Sequence, residues 1–244
     1  MVTLSPTQSQ IQTALRSFLL SVLPSGVEVL EGQDNRVPEP SATDFVVMTA
    51  IQRPRLATNI DSAADVAFVG SIAGTTLTVS SVTLGSLTAG ATLFGPGVAS
   101  GSLVGVQQSG TPGGVGTYLV SPSQTVSSET LSCGATQLLQ ETDIVVQLDF
   151  HSANVGDDAD MAQIVSTAFR DGYAVTQFST FNSAVTPLYT GDPHQAPFLN
   201  AEQQYETRWS LDVHMQANQT ISVPQQFADA ATVNVVDVDA IYPP

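Results

Sequence analysis

Residues 66–135 hold 13 of the chain's 18 glycines and a single charged residue, Glu129, whereas the segments on either side hold 27 of the 28 charged residues. A composition that changes this sharply, and changes back, is hard to reconcile with one uniform layer of structure. Inside the segment, Ser, Thr, Val, Ala and Leu form short alternating runs at Phe68–Ile72, Thr76–Val82, Ala91–Phe94, Leu103–Gln107, Thr117–Val120 and Thr130–Cys133. Gly74, Gly85, Gly90, Pro112-Gly113-Gly114 and Pro122 punctuate them. Turn residues at this spacing, with β-branched residues between them, predict a small all-β module, a sandwich or barrel. A low-complexity linker would have no reason to alternate Leu77/Val79 and Tyr118/Val120 with small polar residues.

The flanks, 1–65 and 136–244, read differently. Ser5-Pro6 followed by Gln8 has the form of a capping box with proline at the first helical position. Ile11, Leu15, Phe18, Leu19 and Val22 then share one helical face, and Pro24 and Gly26 stop the run. A second helix is predicted from Asp157-Asp158, with Met161, Ile164, Val165, Ala168 and Phe169 as its apolar stripe and Gly172 as its end. Strands are expected at Val27–Gly32, Asp44–Ile51, Thr142–Phe150, Glu206–Ala217 and Thr232–Val238. The pattern predicts an α+β domain with a mixed or antiparallel sheet and two main helices. It is split in sequence by the all-β module at 66–135, placed where a hairpin tip tolerates insertion.

Composition removes whole classes of function. The six basic residues are all Arg (16, 36, 53, 55, 170 and 208), against 22 Asp and Glu, for a net charge of −16. Without lysine there is no P-loop, Schiff-base or Ser–Lys chemistry, and six scattered arginines make no broad DNA-reading face. No apolar run reaches membrane-spanning length, and the start of the chain has no secretory signal pattern. With one cysteine, Cys133, no internal disulfide forms; the residue reads as a small buried hydrophobe.

Three stretches carry a resemblance. They are Gln33-Asp34-Asn35-Arg36-Val37-Pro38-Glu39-Pro40 with Asp44-Phe45-Val46-Val47-Met48-Thr49; Arg55-Leu56-Ala57-Thr58-Asn59; and Gln204-Tyr205-Glu206-Thr207-Arg208-Trp209-Ser210-Leu211-Asp212-Val213-His214. Read together, the flanks resemble the neck terminator, or tail-completion, proteins of the head–tail junction of tailed phages. Gly74-Thr75-Thr76-Leu77-Thr78-Val79 and Gly113–Ser121 look like a mobile β module of phage structural proteins, a departure from the simple neck pattern. The resemblance implies a virion building block, not an enzyme. It implies a homo-oligomeric ring, sixfold, that meets tail tube or sheath protein on one side and a head connector or collar protein on the other. Genomic DNA would pass through without specific binding, and assembly would take place in the host cytoplasm. An acidic lumen suits that task, because Lys or Arg contacts to phosphate would hold the DNA.

Individual residues admit paired readings. Arg36, between Asp34 and Glu39 in a loop stiffened by Pro38 and Pro40, forms either an intersubunit ion pair or an intrachain bridge. Arg53 and Arg55, flanking Pro54, either dock a neighbour's acidic face or hold a local turn; Arg208 joins them as an interface candidate. Leu148-Asp149-Phe150-His151 and Leu211-Asp212-Val213-His214 put Asp and His on one strand face, which could gather a metal site or simply be two sheet strands. Asp157, Asp158 and Asp160 lack the spacing of a calcium loop and read as helix-start acids. Gly110–Gly116 reads as a hairpin loop, and Trp209 as core. No cofactor is expected. A carbohydrate-binding or cell-surface-binding module on the 66–135 segment is the alternative function, and a metal hydrolase on the Asp-x-His strands the enzymatic one.

Overall fold

The computed structural model describes residues 2–32, 40, 42–199 and 205–227. The elements, in order, are β1 (Thr3–Ser5), α1 (Gln8–Val22), β2 (Glu28–Glu31), β3 (Phe45–Gln52), β4 (Ile60–Ala64), β5 (Ala67–Leu84), β6 (Leu103–Gly110) and β7 (Gly116–Ser132). They continue with β8 (Ala135–His151), α2 (Asp157–Phe169), α3 (Gly172–Phe181), β9 (Val185–Thr190), β10 (His194–Gln195), β11 (Phe198–Leu199), β12 (Tyr205–Glu206) and β13 (Trp209–Pro224). The chain divides into two compact units. One is built on Ser62–Gln137 and takes in, of the described residues, also those from Ser222 to Phe227; the other is Thr3–Asp61 with Leu138–Ile221.

The second unit holds most of the large sheet, ordered β1-β13-β8-β3-β2, with β9 and β10 also pairing β13 and β4 pairing β8. Strand β2 runs parallel to β3, whereas β3 runs antiparallel to β8. Period-two alternation fixes which face is closed. Leu211, Val213, Met215 and Ala217 on β13, Ile144, Val146, Leu148 and Phe150 on β8, and Val46 and Met48 on β3 are all at most 1% exposed. They form one core with Ile11, Leu15, Phe18 and Leu19 of α1, Met161, Val165 and Phe169 of α2, and Ala174 and Phe178 of α3. Burying each Leu, Ile, Phe or Met side chain contributes about 1.5–3 kcal/mol.

The helices depart from expectation at their ends. The capping box of α1 is Thr7 with Gln10, not Ser5 with Gln8: Thr7 N donates to Gln10 Oε1 at 2.8 Å, and Gln10 N to Thr7 Oγ1 at 3.4 Å. The α2 cap is Gly156 in the left-handed region. Ile164, assigned to the buried stripe, is 40% exposed, and Ala162 and Ser166 are buried in its stead. Gly172 does not end a helix; it opens α3, which Asp171 caps by accepting from Tyr173 N at 2.8 Å.

The other unit contains a three-stranded sheet, β5-β7-β6. The short runs at Phe68–Ile72 and Thr76–Val82 belong to one long element, β5. It folds back at Gly74, where φ is +66°. Thr83 Oγ1 donates to Ala67 O at 2.8 Å and Ser80 Oγ to Val69 O at 3.1 Å, whereas residues sixteen apart in a straight strand would be about 50 Å apart. Both halves pair with β7, which likewise extends across most of the separate runs expected at Thr117–Val120 and Thr130–Cys133. Ala91–Phe94 makes isolated bridges, Thr92 with Leu103 and Phe94 with Ser132. Phe68, Ile72, Leu77, Val79, Leu93, Val104, Tyr118, Val120 and Leu131 close over a core of their own.

The expected class is therefore corrected. Of the described residues, 51% are in strands and 18% in three helices, so the chain is mostly β, not α+β with two main helices and an inserted sandwich or barrel. Strands β8 and β13 run well beyond their predicted limits, and β9 was not anticipated. The strand expected at Thr232–Val238 lies outside the described residues.

Candidate interaction surface

The large sheet has a second face. Alternation that buries Leu211, Val213 and Met215 turns Asp212, His214, Gln216 and Asn218 the other way. On β8 it does the same with Asp143, Gln147 and Asp149. These groups are mostly half-buried and make specific partners. His214 Nδ1 lies 2.9 Å from Asp143 Oδ2, the carboxylate accepting, and Tyr189 stacks on the imidazole with ring centroids 4.1 Å apart and planes 15° apart. Asp149 accepts from Ser210 Oγ and lies 3.8 Å from Arg208 Nε. His151 stacks on Phe45 at 4.6 Å with an interplanar angle of 9°.

The two Asp-x-His strands are thus neighbours, but Asp149, His151 and His214 go to different partners, and Asp212 has its Oδ1 buried without a hydrogen bond among the described residues. Among the described residues, no three His, Cys, Asp or Glu side chains gather as a metal would require. The acid that holds His214 is Asp143, on β8, and not Asp212 of its own motif. Removing the imidazole leaves a carboxylate that is 9% exposed and has its other oxygen already unpartnered among the described residues. His214→Ala is expected to cost about 2 kcal/mol in chemical denaturation; a change below a few tenths would mean the pair is not held.

Two further clusters fix loops. Arg170, at the end of α2, donates through Nε to Thr190 Oγ1 at 2.8 Å and through Nη2 to Thr190 O at 2.9 Å, Gly191 O at 2.7 Å and Asp192 Oδ1 at 3.1 Å. This joins α2 to the end of β9, a role that no motif announced. Buried Cys133 has its thiol pushed up to about 12 by burial and then by the Asp65 carboxylate, so it stays protonated and unreactive at neutral pH. Gly110–Gly116 closes the β6–β7 hairpin.

Of the interface candidates, Arg36, Pro38 and Glu39 lie outside the described residues, and Pro40 is half-buried. Arg208 has partners within its own chain: its Nε donates to Ala196 O at 3.1 Å and faces Asp149. Arg53 and Arg55 are exposed. Their backbone is laid along β8, Leu56 N donating to Glu141 O and Asp143 N to Pro54 O, both at 2.9 Å. Among the described residues neither guanidinium has a hydrogen-bond or ion-pair partner. The described helices include none long and apolar enough to cross a membrane.

A family model described as phage neck terminator protein matches residues 103–240. The match takes in β6 and β7 of the glycine-rich segment as well as the C-terminal flank. Of the three resemblance-bearing stretches, it contains the one at 204–214. No curated protein matches the chain. The match covers more than half of the sequence, and the chain belongs to the phage neck terminator protein family, structural proteins of the virion neck.

Proposed function

We propose that copies of this chain assemble into a closed ring of six at the head–tail junction. The ring ends the tail tube or its sheath and offers a surface to the head connector or collar. The observation that carries the reading is the family match over residues 103–240. The charge supports it: a subunit with net charge −16 and no lysine builds a passage whose wall repels phosphate, so DNA moves through without being held. Segments 1–65 and 136–244 make the ring, and 66–135 is an added body that decorates it or meets a neighbouring protein. Assembly takes place in the host cytoplasm before the ring is built into the virion.

The carbohydrate-binding alternative loses support from side-chain placement. Phe68 and Tyr118, two of the three aromatics in 66–135, are 0% and 2% exposed, and Phe94 is half-buried. A sugar-stacking platform needs an open ring face.

Native mass spectrometry of the full chain over a range of concentrations tests the ring. The expected spectrum shows one closed stoichiometry, six copies. A monomer at every concentration, both alone and with the tube and connector proteins, contradicts the reading.

A further inference from the structure

A ring of identical subunits needs two different, complementary patches on each chain, because the contact that closes it is heterologous. The unit Thr3–Asp61 with Leu138–Ile221 carries two surfaces with that relation. The first is the exposed segment around Arg53-Pro54-Arg55. Both guanidinium groups lack partners among the described residues, and Ile51, Leu56 and Ile60 beside them are 43%, 47% and 56% exposed. Residues 53 and 55 share one side of an extended chain, and Pro54 stiffens it.

The second surface is a groove of about 510 Å³ on α2 and α3, lined by Gln163, Ile164, Thr167, Ala168, Asp171 and Tyr173. Its floor is aliphatic, and its one charge is the carboxylate of Asp171, which uses Oδ1 to cap α3 and is otherwise exposed. Tyr173 is 44% exposed and offers a ring face. A guanidinium pairs with a carboxylate while stacking on an aromatic ring, which an ammonium does less well. An aliphatic neighbour of that guanidinium fits beside Ile164 and Ala168.

We propose that the Gln52–Leu56 segment of one copy seats in the α2–α3 groove of the next copy, with the Arg53/Arg55 pair meeting Asp171 and Tyr173 and Leu56 packing on Ile164. The contact rests on the ring reading and names the surfaces that close the ring. The occupant is a second copy because charge complementarity selects it. In so acidic a chain, two arginines on a stiff segment without partners among the described residues are a scarce feature, and the groove pairs one carboxylate with an aromatic ring.

The test is a charge exchange read by native mass spectrometry and sedimentation, with circular dichroism to establish folding. Arg53→Glu with Arg55→Glu is expected to weaken self-association about a hundredfold, since like charges then face each other. Gln163→Arg with Thr167→Arg, both on the outer surface of α2, is expected to weaken it similarly. The chain carrying all four changes is expected to recover assembly, because each Glu again meets Arg. Undiminished assembly of the Arg53/Arg55 variant, or no recovery in the fourfold variant when it is folded, overturns this contact and leaves the ring standing. A wild-type chain that never self-associates, alone or in purified particles, overturns the ring and the contact together.

Discussion

Replacing Phe18 with alanine is expected to lower the unfolding free energy by about 3–5 kcal/mol. Phe18 is 0% exposed and is where the three helices meet. Its ring centroid is 5.5 Å from that of Phe169 on α2, edge-on at 85°, and 5.3 Å from that of Phe178 on α3. Phe169 and Phe178 themselves meet edge-on at 5.8 Å. Truncation removes the apolar surface of one ring and both of its aromatic contacts, leaving a cavity that α2 and α3 cannot both close. Leu20→Ala on the same helix is the control: at 46% exposure it is expected to change stability by less than about 1 kcal/mol. Equal effects of the two substitutions in urea titrations would show that the helices do not pack as described.

The second large effect is expected in the other unit. Gly110 and Gly116 face each other across the β6–β7 hairpin, with φ of +99° and +152°. A methyl group on Gly110 would run into the carbonyl oxygen of Val115 and come within 2.6 Å of Gly116 Cα. Both obstacles are backbone, so no side chain can rotate away. Gly110→Ala is expected to cost about 3 kcal/mol, positive-φ strain and steric clash together, and to open the hairpin to proteolysis. Gly114, in the same turn, meets only ordinary contacts with Thr111 at 3.5 Å. Gly114→Ala is expected to leave both the stability and the digestion pattern nearly unchanged. A Gly110 variant as resistant as wild type would mean that the hairpin has a different register.

Periodicity made the core faces readable. The stripe Ile11, Leu15, Phe18, Leu19 and the alternation Leu211, Val213, Met215 are local patterns that tertiary structure did not override. Ends and bends were harder. Ser5/Gln8 and Thr7/Gln10 both fit the same capping spacing, and only the packed chain selects the second. Gly172 looked like a helix stop because Asp171, the cap of α3, was hidden among the residues that end α2. The fold-back of β5 depends on non-local bonds, Thr83 to Ala67 and Ser80 to Val69, that no window of sequence contains.

The same division holds for the polar surface. The i, i+2 spacing correctly placed Asp149 with His151 and Asp212 with His214 on shared faces, but partnership is decided across strands. His214 takes Asp143 and Tyr189, Asp149 takes Ser210, and His151 takes Phe45. Asp143, Gln147 and Asp149 alternate along β8, a signal that could have placed Asp143 on this face but not beside His214. Arg53 and Arg55 are legible as basic residues around Pro54 that either dock a neighbour or hold a turn, and their exposure is decided by the fold. The groove that complements them is not, because periodicity puts Ile164 in the buried stripe and Gly172 reads as a helix end, which leaves no α3.

Cryo-electron microscopy of the neck in particles that contain this chain decides whether it forms a ring there. A closed ring of these subunits, coaxial with the DNA path, is expected at the end of the tail tube that faces the head. Density for the chain elsewhere in the particle, or a ring whose inner wall is lined by arginine, would contradict it.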